Sequence, residues 1–133
     1  MTREIPPKPT VLVVDDEALI RWALSEGLSD AGYPVKLAAS GAEARAALYA
    51  FNGLPLVVLL DLRLPDVADL SLLREIRTAR PEVPVLMMTA HGSSEDAAEA
   101  QRLGAVKFVG KPFDVAEFVE LVAEAWANRS ASS

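Results

Sequence analysis

The stretch Leu56-Val57-Val58-Leu59-Leu60-Asp61-Leu62-Arg63-Leu64-Pro65 decides the fold. Its five leading apolar residues are too few for a helix and too uniformly apolar for a strand with one wet face, so they read as a strand covered on both sides. That strand ends in a carboxylate. Comparable runs stand at Val11 to Val14, Val35 to Ala39, Val85 to Met88 and Ala105 to Val109. Between them the apolar residues take helical spacing, as in Ile20, Ala23, Leu24, Gly27, Leu28 and Ala31, and in Phe118, Leu121, Val122 and Ala125. Strands that alternate with helices require crossover connections, hence an α/β, doubly wound (βα)5 chain with a five-stranded parallel sheet. Lys36 and Lys107 mark the second and fifth runs as edges, which gives the order 2-1-3-4-5. The order 3-2-1-4-5 would leave Leu56 to Leu60 on an exposed edge.

Composition agrees with one compact domain: 133 residues, 51% hydrophobic and 24% charged. With 19 acidic against 13 basic residues the net charge is −6, which argues against direct nucleic-acid binding and against an anionic membrane surface. The absence of cysteine excludes disulfides and thiol nucleophiles, and the single histidine, His91, excludes multi-histidine metal sites. No apolar run approaches the roughly 20 residues of a bilayer span, and the opening residues lack the apolar centre of a secretory signal. A cytoplasmic protein is expected. Flexible segments are expected at 1–9 and 129–133, flanking a domain over 10–128. Gly32, Gly53 and Gly104 suit helix ends, and Asp16, Ser40, Asp66 and Asp114 suit helix starts.

In a doubly wound sheet the functional crevice lies beyond the carboxyl ends of the strands, where strand order reverses. Here that point falls between the first strand, which runs into Asp15-Asp16-Glu17, and the third, which ends in Asp61. Asp15 and Asp16 alone would pass as helix caps. Asp61 would not, because Leu-Arg-Leu-Pro follows it and no helix starts there. Clustered carboxylates either shift a pKa or recruit a cation, and an oxygen-only site suits Mg²⁺. Thr89 at the end of the fourth strand and Lys111-Pro112 after the fifth bring a hydroxyl and an ammonium to the same edge. Nucleophile, cation, donor and counter-charge together suit a phosphoryl group. No base stands ready to activate water, so an acyl phosphate here would be stored, as a signal requires.

Val-Val-Asp-Asp-Glu at 13–17, the lone Asp61 before Leu-Arg-Leu-Pro, Met-Thr-Ala at 88–90 and Gly-Lys-Pro-Phe at 110–113 together resemble the receiver domain of bacterial two-component response regulators. The likeness runs from about Thr10 to Asn128, and Leu19-Ile20-Arg21-Trp22 with Met88-Thr89-Ala90-His91 makes it most similar to the NtrC-like receivers. The resemblance implies the flavodoxin-like, CheY-like fold. It implies Asp61 as phosphoacceptor, fed by a sensor histidine kinase, and Mg²⁺ held by Asp16, Asp61, the Arg63 backbone carbonyl and, through water, Asp15. Thr89 and Lys111 would hold the phosphoryl oxygens, with Lys111-Pro112 as a cis peptide. Thr89 and Phe108 would form the switch: the hydroxyl moves to the phosphoryl group and the ring enters the space left, although Phe108 also reads as an ordinary core ring. Helix four, near Ser94 to Leu103, offers mostly alanines to the sheet and should be weakly anchored, which makes helix four, strand five and helix five the output face and a homodimer interface on activation. NtrC-like receivers usually precede a sigma-54-activating ATPase module and a DNA-binding module, which would act as partners in a longer chain.

Departures from the family pattern are few. Ala68-Asp69 replaces the usual Asp-Gly, which suggests Asp69 as the next helix cap, and Arg63 and His91 occupy the places that modulate attack by water. A haloacid dehalogenase-type phosphatase would need an Asp where Arg63 stands, and a flavin carrier would not present Asp15-Asp16-Glu17 to a phosphate. The chain is therefore expected not to be an enzyme beyond its own phosphorylation and slow dephosphorylation. The alternative of another class is a pseudo-receiver, a phosphorylation-independent interaction module.

Overall fold

The computed structural model describes residues 8–67, 69–90 and 94–129. Five strands and five helices alternate: β1 (Thr10–Val14), α1 (Ala18–Asp30), β2 (Val35–Ala38), α2 (Gly41–Ala50), β3 (Leu56–Asp61), α3 (Ser71–Ala79), β4 (Val85–Thr89), α4 (Ser94–Arg102), β5 (Lys107–Gly110) and α5 (Val115–Asn128). The strands form one parallel sheet in the order β2-β1-β3-β4-β5, as the edge lysines require.

Alternation along the three central strands divides the core. Val11, Val13, Val57, Leu59, Leu86 and Met88 face α1 and α5, where Leu24, Leu28, Phe118 and Val122 complete one cluster. Leu12, Val14, Val58, Leu60, Val85 and Met87 face α2, α3 and α4 across Ala44, Ala47, Leu72, Leu73, Ile76 and Ala100. Every residue of β3 is buried, which is why that run carries no polar residue until Asp61. Val14 pairs with Leu60 and Asp61 with Met88, so β1 and β3 end side by side and their polar termini emerge together. α4 buries only Ala100 of its own residues, in line with the alanine-rich face read from the sequence.

Gly32, Gly53 and Gly104 take the left-handed conformation at φ 93°, 82° and 103°, where a Cβ would be strained. Ser40 and Asp114 cap α2 and α5 through Glu43 N–H and Ala116 N–H. The other two expected caps fail. Asp16 does not start α1, whose N-cap is Glu17 without a side-chain hydrogen bond, because the chain leaves β1 through one more extended residue. Asp66 does not start α3 either; its carboxylate reaches across to α2 and accepts Gly41 N–H at 2.7 Å and Ala42 N–H at 2.9 Å. Asp69 takes over at α3, accepting Ser71 N–H at 2.9 Å. The fifth strand starts at Lys107 rather than Ala105, since Ala105 N–H bonds back to the Ala100 carbonyl in the turn that ends α4. Ala68 and His91 lie outside the described residues, as do most of 1–9 and 129–133.

Candidate functional site

β1 delivers Asp15 fully buried, its N–H extending the ladder to the Ala38 carbonyl. Asp15 Oδ1 accepts Glu17 N–H at 2.8 Å, and its backbone carbonyl accepts the Arg21 guanidinium at 2.7 Å. Asp16, next in the chain, points to the surface. β3 delivers Asp61, buried, with Oδ1 accepting Arg63 N–H at 3.3 Å; the Arg63 side chain is exposed. β4 ends in buried Thr89, whose carbonyl accepts Lys111 N–H at 2.7 Å and so continues the sheet beyond β5. The Lys111–Pro112 peptide is cis, as the family likeness implied.

Lys111 closes the arrangement. Its Nζ lies 2.8 Å from Asp15 Oδ2, 3.1 Å from Glu17 Oε1 and 3.2 Å from Asp61 Oδ2, so one ammonium bridges the ends of β1 and β3. Burial alone would lower the Lys111 pKa, but its bonds to Asp15 and Glu17 and the charges of Asp15 and Asp61 outweigh that and hold it above the usual lysine value. For Asp61 burial comes first and raises the pKa; the Asp15 charge adds to the rise, and Lys111 and the Arg63 N–H offset part of it. Glu17 is the residue the sequence reading left without a role. Its signal was adjacency to the Asp15-Asp16 pair, but nothing local reveals that it reaches a lysine 94 positions away.

Asp15, Asp16 and Asp61 each place a carboxylate oxygen within 4.8 Å of the others, close enough for one cation. Asp15 Oδ2 is buried and meets Lys111 only as an ion pair, with no hydrogen-bond donor well aligned to it. A buried anionic oxygen held by an ion pair alone, beside two further carboxylates, offers the oxygen donors that suit a hard divalent ion. Phe108 sits half-buried against the core of α2, α3 and α4, beside Leu103, on the face opposite α1 and α5. A groove of about 730 Å³ between α2 and α3, lined by Leu48, Tyr49 and Ile76, holds none of these residues. The clustered carboxylates, Thr89 and Lys111 gather instead at the carboxyl ends of the strands.

Residues 11–123 match the family model of the response regulator receiver domain. The chain belongs to the response regulator receiver family. This receiver is 41% identical over 115 residues to the DNA-binding transcriptional regulator NtrC of Escherichia coli strain K12, covering 86% of this chain and 24% of that protein. The receiver thus spans about a quarter of the length of that curated relative. Among solved structures it resembles the receiver domain of NtrX from Brucella abortus, with 37% identity, a TM-score of 0.79, and 88% and 98% of the two chains covered. It also resembles the beryllofluoride-activated NtrC4 receiver domain dimer, with 32% identity, a TM-score of 0.83, and 90% and 98% covered. The receiver is therefore NtrC-like, as read from Leu19-Ile20-Arg21-Trp22. Among the described residues no helix is long and apolar enough to cross a membrane.

Proposed function

We propose that Asp61 accepts a phosphoryl group from the phosphohistidine of a sensor histidine kinase, in a Mg²⁺-dependent reaction, and stores it as a signal. The observation that carries this reading is the Lys111 ammonium bridging Asp15 and Asp61 at 2.8 and 3.2 Å, with Thr89 on the neighbouring strand end. A carboxylate oxygen of Asp61 forms the new bond to phosphorus, the phosphorus–nitrogen bond breaks, and the imidazole leaves with its electron pair. Lys111 lies within reach of a phosphoryl oxygen on Asp61 and supplies the positive charge that the transferred group requires. Thr89 supplies a hydroxyl. Asp16, Asp61 and the Arg63 carbonyl would hold Mg²⁺, with Asp15 acting on it through water, and the ion would supply positive charge for the oxygens of the transferred group.

Among the described residues no side chain stands ready as a base for rapid hydrolysis, which supports a domain that catalyses its own phosphorylation and slow dephosphorylation rather than turnover of a substrate. Its place of work is the cytoplasm. The consequence of phosphorylation is a shift of Thr89 and Phe108 that changes the face of α4, β5 and α5. α4 is suited to move because Ala100 is its one buried residue. The activated NtrC4 receiver being a dimer supports homodimerisation on activation, for which that face is the candidate. In a longer chain the receiver would control ATPase and DNA-binding modules, and through them transcription.

Intact-protein mass after incubation with acetyl phosphate, with and without Mg²⁺, tests the reading. One phosphoryl group gained only with Mg²⁺, and absent from Asp61→Asn, is the expected result. A gain in the variant equal to that of the wild type would refute the assignment of Asp61. No gain in a folded, Mg²⁺-binding wild type would leave phosphorylation-independent interaction as the function.

A further inference from the structure

The loop after the phosphoacceptor is fastened at two points. At its start Leu62 N–H bonds to the Met88 carbonyl of β4 at 2.9 Å; at its far end Asp66 takes the first two N–H groups of α2. Between them Leu64 N–H bonds to the Val67 carbonyl at 2.9 Å, closing a turn whose Leu62, Leu64 and Val67 are buried. Val67 is seated on Gly41, so closely that a Cβ there would come within 2.5 Å of its Cγ2. α2 caps itself only in part. Ser40 Oγ accepts Glu43 N–H at 3.1 Å and Glu43 Oε1 accepts Ala39 N–H at 2.8 Å, so the local cap reaches neither Gly41 N–H nor Ala42 N–H. The carboxylate from 25 positions away supplies the acceptor those two donors lack, and the same contact ties the loop that carries it to α2.

What that loop carries is Arg63, three residues before Asp66. We propose that Asp66 is a positioning residue for the metal site: by gripping the N-terminus of α2 it fixes the turn from Leu64 to Val67 and thereby the direction of the Arg63 carbonyl. The grip is strong for an exposed contact, because a carboxylate with two backbone donors at a helix N-terminus gains from charge-assisted bonds and from the helix dipole. Loss of the grip leaves the buried leucines in place but frees the turn between them, so the oxygen at Arg63 samples directions that do not converge with Asp16 and Asp61. The proposal rests on the Mg²⁺ site argued above.

The test is calorimetric titration of MgCl2 into the wild type, Asp66→Ala, Asp66→Asn and Ser40→Ala, with thermal melting of each. Ser40→Ala removes a cap from the same helix without touching the loop, so it controls for destabilisation. Both alanine variants should melt lower, but only Asp66→Ala should lose Mg²⁺ affinity, by about tenfold, as when a supporting partner of a metal ligand is removed. Asp66→Asn keeps one oxygen acceptor and should recover part of that loss. Undiminished affinity in Asp66→Ala, or an equal loss in Ser40→Ala, overturns the tether alone. Failure of the wild type to bind Mg²⁺ overturns the site reading and the tether with it.

Discussion

Replacing Asp61 by Asn should stabilise the metal-free domain. Its carboxylate sits no more than 4.8 Å from oxygens of Asp15 and Asp16; at an effective dielectric of about 20 each such repulsion is worth about 3.5 kcal/mol. Lys111 Nζ at 3.2 Å returns about 5 kcal/mol, less than the two repulsions together, so nothing is left to set against burial, which itself disfavours the ionised carboxylate. Burial wins, so the folded Asp61 pKa lies above its ordinary value and the ionised form opposes folding at neutral pH. Asn keeps the shape and an acceptor for Arg63 N–H, and Lys111 keeps Asp15 and Glu17. The gain should be on the order of 1 kcal/mol, a rise of about 4 °C in Tm. Mg²⁺ should act the other way round. At ten times its Kd it stabilises the wild type by RT ln 11, about 1.4 kcal/mol, and the variant by much less, because a charged ligand is gone. Differential scanning calorimetry at pH 7.5, with chelator and then with Mg²⁺, reads both effects. A lower Tm for Asp61→Asn in chelator, or an equal Mg²⁺ shift in both proteins, would refute the reasoning.

Arg80→Ala should cost about 2 kcal/mol, because buried Arg80 donates to the Phe51 and Leu54 carbonyls at 3.1 and 2.9 Å and its loss removes both charge-assisted bonds, leaving Phe51 only the N–H of Leu54; a urea midpoint unchanged from wild type would contradict this. Gly27→Ala should lower the urea midpoint despite better helix propensity, since the new Cβ would fall 2.3 Å from Val115 Cγ1 and push α1 from α5. The acid limb of stability should carry two opposite signs. Asp66, with its bonds from Gly41 and Ala42, and Glu82, bonded by Arg80, have lowered pKa values, so their contribution is present above about pH 4 and fades as pH falls through the folded values. The raised Asp61 does the reverse: its contribution is full below the ordinary carboxylate range and is lost as pH rises through its folded value. Melting curves from pH 3 to pH 7 should therefore show the gap between wild type and Asp66→Asn opening with pH, and the advantage of Asp61→Asn growing. Parallel curves would contradict both assignments.

What the sequence revealed were features whose physical cause is local. A fully apolar run that stops at Asp61 can only be a central strand ending at the crevice, and Lys36 and Lys107 can only sit where a strand has an open side. Asp15, Thr89 and Lys111 followed from being the last polar groups on their strands. The misreadings involve contacts that length along the chain conceals. Asp66 looks like a cap and is one, but the helix it caps is the preceding one, 25 residues back. Arg80 carries no local signal in the sequence; it is buried because two loop carbonyls and Glu82 consume its donors. Ala105 reads as strand because it is apolar, whereas its N–H is already bound in the turn after α4.

The same long-range contacts give the sheet edge two unlike sides. The loop that leaves Asp61 is held by β4 at Leu62 and by α2 at Asp66, with Val67 seated on Gly41. Towards β5 the holding is sparse: no residue of β5 is fully buried, α4 contributes Ala100 alone, and Phe108 is half-covered. A phosphoryl group on Asp61 would press on its own loop directly and on the β5 side through Thr89 and Lys111, but strain relaxes where the fewest contacts must break. The stiff side keeps the oxygens of the metal site converged while the loose side moves. On this argument stiffening α4, for example by enlarging the half-buried Ala97 to extend its contact with the sheet, should leave phosphorylation of Asp61 intact and weaken the change at the α4, β5 and α5 face.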